Sequence, residues 1–191
     1  MGRLGHLLGE FEAPAAFGVV VARQGVRPEQ ERTKAADLDA DGVKTPFIDA
    51  EAQSDNTAAG RRNAAAASAA RPQIAVKEAA WQQVVEDDTL ANVTSRAIIG
   101  GFARPGQDQV LLPFTKRYFE AIDKVWERRS SEVAQTVVVG LYPSWDISQA
   151  GLDAADRFLA GDIPPALRRL VVEGRAGVER SLKARTFDGS Q

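Results

Sequence analysis

From residue 45 onward, apolar residues recur at intervals of three and four, the spacing that gathers them on one face of an α-helix. Before residue 45 no such period holds. Gly2, Gly5, Gly9, Gly18 and Gly25 are scattered through that stretch, and Gln24 to Gly42 is polar with clustered charge, which reads as loop or mobile segment. Phe17 to Ala22 is apolar and short, so periodicity alone leaves it open between a strand and another buried piece.

The helical part is punctuated by caps and breakers. Thr45-Pro46 reads as a cap followed by a first-turn proline, opening a helix to about Gln53. Asp55-Asn56-Thr57 is a turn that can cap the alanine-rich stretch Ala58 to Ala70, which Arg71-Pro72 ends. Ile74 to Glu86 carries Ala80, Trp81, Val84 and Val85 as a stripe, and Leu90 to Phe102 continues with Leu90, Val93, Ala97 and Ile98. Gly100 and Gly101 are read as its end, with Pro105 as the break. Pro113 to Arg129 is the clearest amphipathic helix: Phe114, Tyr118, Phe119, Ile122, Val125 and Trp126 share a face opposite a charged one. Ser131 to Leu141 is short and apolar, so it is predicted to be buried. Ser148 caps a helix carrying Leu152, Ala155, Phe158 and Leu159, closed by Gly161. Pro164-Pro165 opens a last helix to about Arg185. Gly174 and Gly177 inside it each cost about 1 kcal/mol relative to alanine, which close packing against a neighbour would explain.

These elements predict an all-α fold, an irregular helical array of about seven or eight helices joined by short links. Their lengths are uneven and no fixed period recurs, which argues against tetratricopeptide or ankyrin repeats and leaves an irregular superhelix of the HEAT or armadillo kind.

Composition narrows the functions. The chain has 191 residues, enough for one domain or part of a larger protein. Its 24 basic and 26 acidic residues nearly balance, so nothing favours nucleic acid as a partner. With no cysteine there are no disulfides, thiolate metal ligands or thiol nucleophiles, which suits a reducing cytoplasm. No run approaches the ~20 apolar residues of a membrane helix. The apolar run Ala13 to Ala22 is preceded by Glu10 and Glu12 and interrupted by Pro14, unlike a signal peptide. A soluble cytoplasmic protein with no membrane partner is therefore expected. The sequon Asn92-Val93-Thr94 matters only in a secreted protein.

Tests for chemistry mostly fail. A catalytic zinc needs three ligands, commonly His and Glu, and the single histidine is His6. Asp37-Leu38-Asp39-Ala40-Asp41-Gly42 matches the opening of a calcium loop, but the twelfth position is Ile48 rather than Glu, and Pro46 interrupts the loop; an acidic turn is the better reading. No Gly-x-Ser-x-Gly elbow, Walker loop or dinucleotide turn occurs. Glu86-Asp87-Asp88 and Glu127-Arg128-Arg129 read as solvated charge. Arg168, Arg169, Arg175 and Arg180 read as a solvated face, the alternative being a site for the carboxylates of a peptide or partner. Trp81 and Trp126 read as core anchors, and Trp145 as the tryptophan most exposed. Catalytic, cofactor-binding and metal-binding residues are thus predicted to be none.

From Ile48 onward the chain resembles the C-terminal helical domain of bacterial aminopeptidase N, a zinc metallo-aminopeptidase of the gluzincin type. The resemblance is carried by Asp55-Asn56-Thr57-Ala58-Ala59-Gly60, Ala69-Ala70-Arg71-Pro72, Lys77-Glu78-Ala79-Ala80-Trp81 and Val84-Val85-Glu86-Asp87-Asp88. Gly101-Phe102, the run Pro113 to Phe119, the run Val125 to Ser130, Gly140-Leu141-Tyr142-Pro143 and the run Leu167 to Arg180 extend it over about three-quarters of the chain. It implies a helical array that covers a catalytic chamber and limits access by substrate. It also implies zinc in the intact enzyme, bound by a separate catalytic domain with His-Glu-x-x-His and Gly-x-Met-Glu-Asn motifs. Neither motif occurs here, so no catalytic or zinc-binding residue carries over.

The expected organisation is an irregular segment over 1–45 without family resemblance, a helical domain over 46–186 and a tail over 187–191. The expected role is structural, as the C-terminal part of an enzyme that removes N-terminal residues from peptides. The expected partners are an aminopeptidase catalytic domain or the peptide substrate. The alternative is a free-standing helical adaptor that binds a peptide or protein.

Overall fold

The computed structural model describes residues 45–189. The candidate strand Phe17 to Ala22, the acidic turn at Asp37 and His6 lie outside the described residues. Within them stand eight helices and no strand: α1 (Thr45–Ser54), α2 (Ala58–Ala69), α3 (Ile74–Val85), α4 (Asn92–Phe102), α5 (Asp108–Arg128), α6 (Ser131–Gly140), α7 (Gln149–Leu159) and α8 (Pro165–Asp188). This is the all-α array expected.

Consecutive helices pair as α1–α2, α3–α4, α5–α6 and α7–α8, and the pairs stack in two layers. In one layer α2 packs on α4, α4 on α6 and α6 on α8. In the other α3 packs on α5 and α5 on α7. Such alternation of hairpins is the geometry of an α-superhelix, in which each unit buries its apolar face only against its neighbours.

The layers use side chains of opposite size. In the α2–α4–α6–α8 layer, glycines sit where helices meet. A Cβ on Gly101 would lie 2.1 Å from the Ala66 carbonyl oxygen of α2. One on Gly140 would lie 2.4 Å from the Ile99 side chain of α4, while Gly174 of α8 makes room for a ring from the turn after α6, its Cβ position lying 2.5 Å from Tyr142. In the α3–α5–α7 layer, aromatic rings fill the interfaces. Trp81 and Phe114 join α3 to α5 with centroids 5.4 Å apart, and Phe119 and Phe158 join α5 to α7 at 5.6 Å. Between the layers Phe102 meets Phe114 edge-on at 5.1 Å, a favoured aromatic geometry.

Several boundaries follow the prediction for the stated reason. The Thr57 hydroxyl accepts from Gly60 N–H at 3.0 Å and the Ser148 hydroxyl from Gly151 N–H at 3.1 Å, both N-caps. The stripe Ala80, Trp81, Val84 and Val85 is buried as a unit.

Others differ. Gly100 and Gly101 lie inside α4, because Gly101 serves a helix–helix contact rather than a C-cap. α5 starts at Asp108, five residues before the proline taken as its first turn. Leu111 is wholly buried and holds that extra turn to the core, while Gln107 Nε2 donates to the Ala70 carbonyl at 2.8 Å. Pro113 therefore stands inside the helix, where it forgoes one backbone hydrogen bond. α8 continues to Asp188. Gly174 has the close neighbour expected of it, whereas Gly177 has nothing nearer than Arg180 Nη2 at 4.0 Å, so packing does not explain it.

Candidate functional site

The stripe of α3 contains a residue that apolar patterning does not predict. Lys77 has the same helical phase as Trp81 and Val84, and its side chain is fully buried. Its ammonium donates to the Ala69 carbonyl at the end of α2 and to the Phe102 carbonyl at the end of α4, each at 2.7 Å. It also lies 5.6 Å from the centre of the Phe102 ring, within cation–π range. Burial, with a smaller contribution from Arg104, pulls its pKa from 10.5 to about 8. A buried amine with a lowered pKa is a recurrent nucleophile. Lys77 lacks the access such a role requires, and both its known hydrogen bonds go to helix ends. It is a clamp between α2 and α4.

Arginines make similar clamps, which corrects the reading of their runs as solvated charge. The Arg129 side chain is only 3% exposed and meets Asp88 at 2.7 Å. Arg128 Nη2 donates to the Val85 carbonyl, the last of α3, at 2.7 Å. Arg168 donates to the Leu159 and Gly161 carbonyls and so closes α7. Arg175 grips both oxygens of Asp156 through Nε and Nη2, at 2.5 and 2.8 Å, joining α7 to α8. That hydrogen bonding holds the Asp156 carboxyl below its ordinary value and raises the guanidinium. Arg169 and Arg180 are exposed, as expected. The four arginines of α8 are therefore not one solvated face: Arg168 and Arg175 are committed to α7, and Arg169 and Arg180 face solvent.

Trp145 is the second correction. It is 6% exposed, packed 5.9 Å from the Phe102 ring, because the turn Tyr142 to Ser148 folds inward. Its neighbour Asp146 is 8% exposed and accepts from the Ser148 hydroxyl at 2.5 Å. Beside Asp146 a groove of about 580 Å³ runs between α5 and α7, lined by Leu112, Thr115, Phe119, Ala154 and Phe158 among others. Smaller grooves lie between α2 and α3 and between α6 and α8.

Among the described residues no group of three or more His, Cys, Asp or Glu side chains could hold a metal ion. The donor set present does not fit a zinc site, and no step through zinc is derived from these residues. Among them, too, no helix is long and apolar enough to cross a membrane.

An array of paired helices stapled end to end is an α-superhelix. Residues 35–180 match the family described as ERAP1-like C-terminal domain, and the chain belongs to that family. It is 50% identical over 144 residues to the Aminopeptidase N of Streptomyces lividans. That match covers 75% of this chain and 17% of the relative, so the chain corresponds to about a sixth of the relative's length.

Proposed function

We propose that the chain is the C-terminal helical part of a zinc aminopeptidase that removes N-terminal residues from peptides, acting in structure and substrate access rather than in catalysis. The observation that carries this is the 50% identity to an aminopeptidase N of which the chain covers only 17%. A sequence with one histidine and no cysteine supports it, since the usual zinc triads cannot be assembled from it. The partner in this reading is the catalytic domain or the peptide it holds, the zinc belongs to that domain, and the compartment is the cytoplasm. The working unit is 46–186, flanked by 1–45 and the tail 187–191.

The test is direct. Purified chain should carry no stoichiometric zinc and leave aminoacyl-p-nitroanilides uncut. Mixed with a Streptomyces lividans aminopeptidase N lacking its matching segment, it should bind and restore turnover. Chelator-sensitive cleavage by the chain alone overturns the proposal.

A free-standing adaptor is the second reading. It draws on the ring contacts that tie α3 to α5 and α5 to α7, at Trp81–Phe114 and Phe119–Phe158. A monomer with one cooperative melt favours it, and an aggregating chain with a broad melt favours the accessory part of an enzyme.

A further inference from the structure

α2 docks on the array without a large apolar side chain. It offers nothing apolar bigger than alanine, and of its residues Ala69 alone joins the buried core, with Ala65 packed partly against it. α3, by contrast, contributes Trp81, Val84 and Val85, and α5 contributes Phe114, Tyr118 and Ile122. Hydrophobic stabilisation scales with the apolar area removed from water, so α2 draws far less of it than its neighbours. Its contact with α4, where Gly101 meets Ala66, is close but has no interlocking side chain. On its other side a groove of about 430 Å³ stands open between α2 and α3.

The polar contacts of α2 divide in the same way. Toward α1 they are local. The Thr57 hydroxyl caps the helix, the Thr57 N–H donates to Asp55 Oδ1 at 3.1 Å, and Arg61 Nη1 donates to the Asn56 carbonyl and side chain at 2.7 and 2.9 Å. A Cβ on Gly60 would lie 2.1 Å from the Asp55 carbonyl oxygen, so α2 sits hard against the turn that leads from α1. Toward the rest of the array, the described hydrogen bonds meet the C-terminal end of α2: Lys77 donates to Ala69 and Gln107 to Ala70, at 2.7 and 2.8 Å. Among the described residues no ion pair joins α2 to the helices beyond it. α1 in turn packs on α2.

The hairpin is thus tied to itself along its length and to its neighbours at one end, beside the link Ala70 to Gln73, where Pro72 keeps α2 and α3 from fusing into one helix. We propose that α1–α2 is a separately opening unit: it undocks from α3 and α4 and melts as one piece, bounded by that link, while α3–α8 stay folded, and Lys77 is its latch. Helices of ten and twelve residues do not hold in water once undocked, so opening frees their amides. It also uncovers Gly101, against which Ala66 packs, and Ile98, which lines the groove beside Ala65 and Ala69. Openings of this kind are drawn from the part of a fold with the fewest buried apolar contacts. The inference holds whether the chain serves a catalytic domain or acts alone.

The test is hydrogen exchange of the full chain at neutral pH, read by mass spectrometry on peptic fragments. Amides of α1 and α2 should share one opening and be at least about a hundredfold less protected than those of α5 and α6. Two variants separate a unit that opens alone from one that unfolds with the whole. Phe158→Leu, in the distant α5–α7 interface, should lower the protection of α5 and α6 by about three- to tenfold and leave α2 unchanged, because the open state keeps that interface. Lys77→Met should lower the protection of α2 by about thirtyfold, because the latch breaks in the step that opens the hairpin. Equal protection of α2 and α5, a parallel loss in both in Phe158→Leu, or unchanged α2 protection in Lys77→Met each overturns the proposal.

Discussion

The two layers of the array solve one packing problem in opposite ways. In the α2–α4–α6–α8 layer helices meet through missing side chains, at Gly101 and Gly140. In the α3–α5–α7 layer they meet through large rings, at Trp81–Phe114 and Phe119–Phe158. A glycine contact draws its stability from close approach, so any added atom strains it. A ring contact draws its stability from buried area, so any removed atom leaves a void. The same domain should therefore fail in opposite directions under substitution.

The largest expected effect lies in the ring layer. Phe114→Ala removes a fully buried ring that touches Trp81 and Phe102, and it should cost about 4 kcal/mol in denaturant unfolding. In the glycine layer, Gly101→Ala should cost about 3 kcal/mol, because its methyl group meets the α2 backbone rather than a side chain that can swing away. If Gly101→Ala proves harmless, the contrast between the layers fails. Lys77→Met should cost about 2 kcal/mol at neutral pH, since two helix-end carbonyls lose their donor.

The same lysine gives a pH signature. The unfolded chain holds this proton up to about its ordinary pKa of 10.5, while the folded chain releases it at about 8. Between those values the unfolded state binds more protons, so stability should rise with pH. The tyrosines act in reverse. Burial pushes Tyr142 from 10.0 to about 12 and Tyr118 well above 10.0, so stability should fall beyond pH 10 as the unfolded chain ionises. A maximum in melting temperature between pH 9 and 10 is expected, and Lys77→Met should abolish its rising limb. The smallest effect is the internal control: Gly100→Ala, next to Gly101 but facing open space, should stabilise by about 0.5–1 kcal/mol.

The helices were legible because each carries its own period of apolar positions, which needs no knowledge of what it packs against. The stripe of α3 and the caps at Thr57 and Ser148 are of that kind. What failed depended on partners distant in sequence. Gly101 looks like a terminator until Ala66 of α2 is placed beside it. Pro113 looks like a helix start until Leu111 is seen to need burial. Trp145 follows a proline in a loop, and only the Phe102 ring shows that the loop turns inward. Lys77 could have been found, since its number places it in the stripe of Trp81 and Val84, but charge at a core phase invites dismissal. The groove residues Thr115 and Asp146 carried no such signal, because they belong to separate helices and turns that only the stacking of α5 on α7 brings together.

The position of Lys77 also bears on the fields of the helices themselves. α2 and α4 belong to one layer and bring their carbonyl ends together at the Lys77 ammonium, so they run parallel. Each helix presents roughly half a negative charge at its carboxyl end. Two such ends side by side repel, and together they amount to roughly one electron charge. A single ammonium between them is the counter-ion that balances the pair. One side chain of α3 thus lets two parallel dipoles lie in contact.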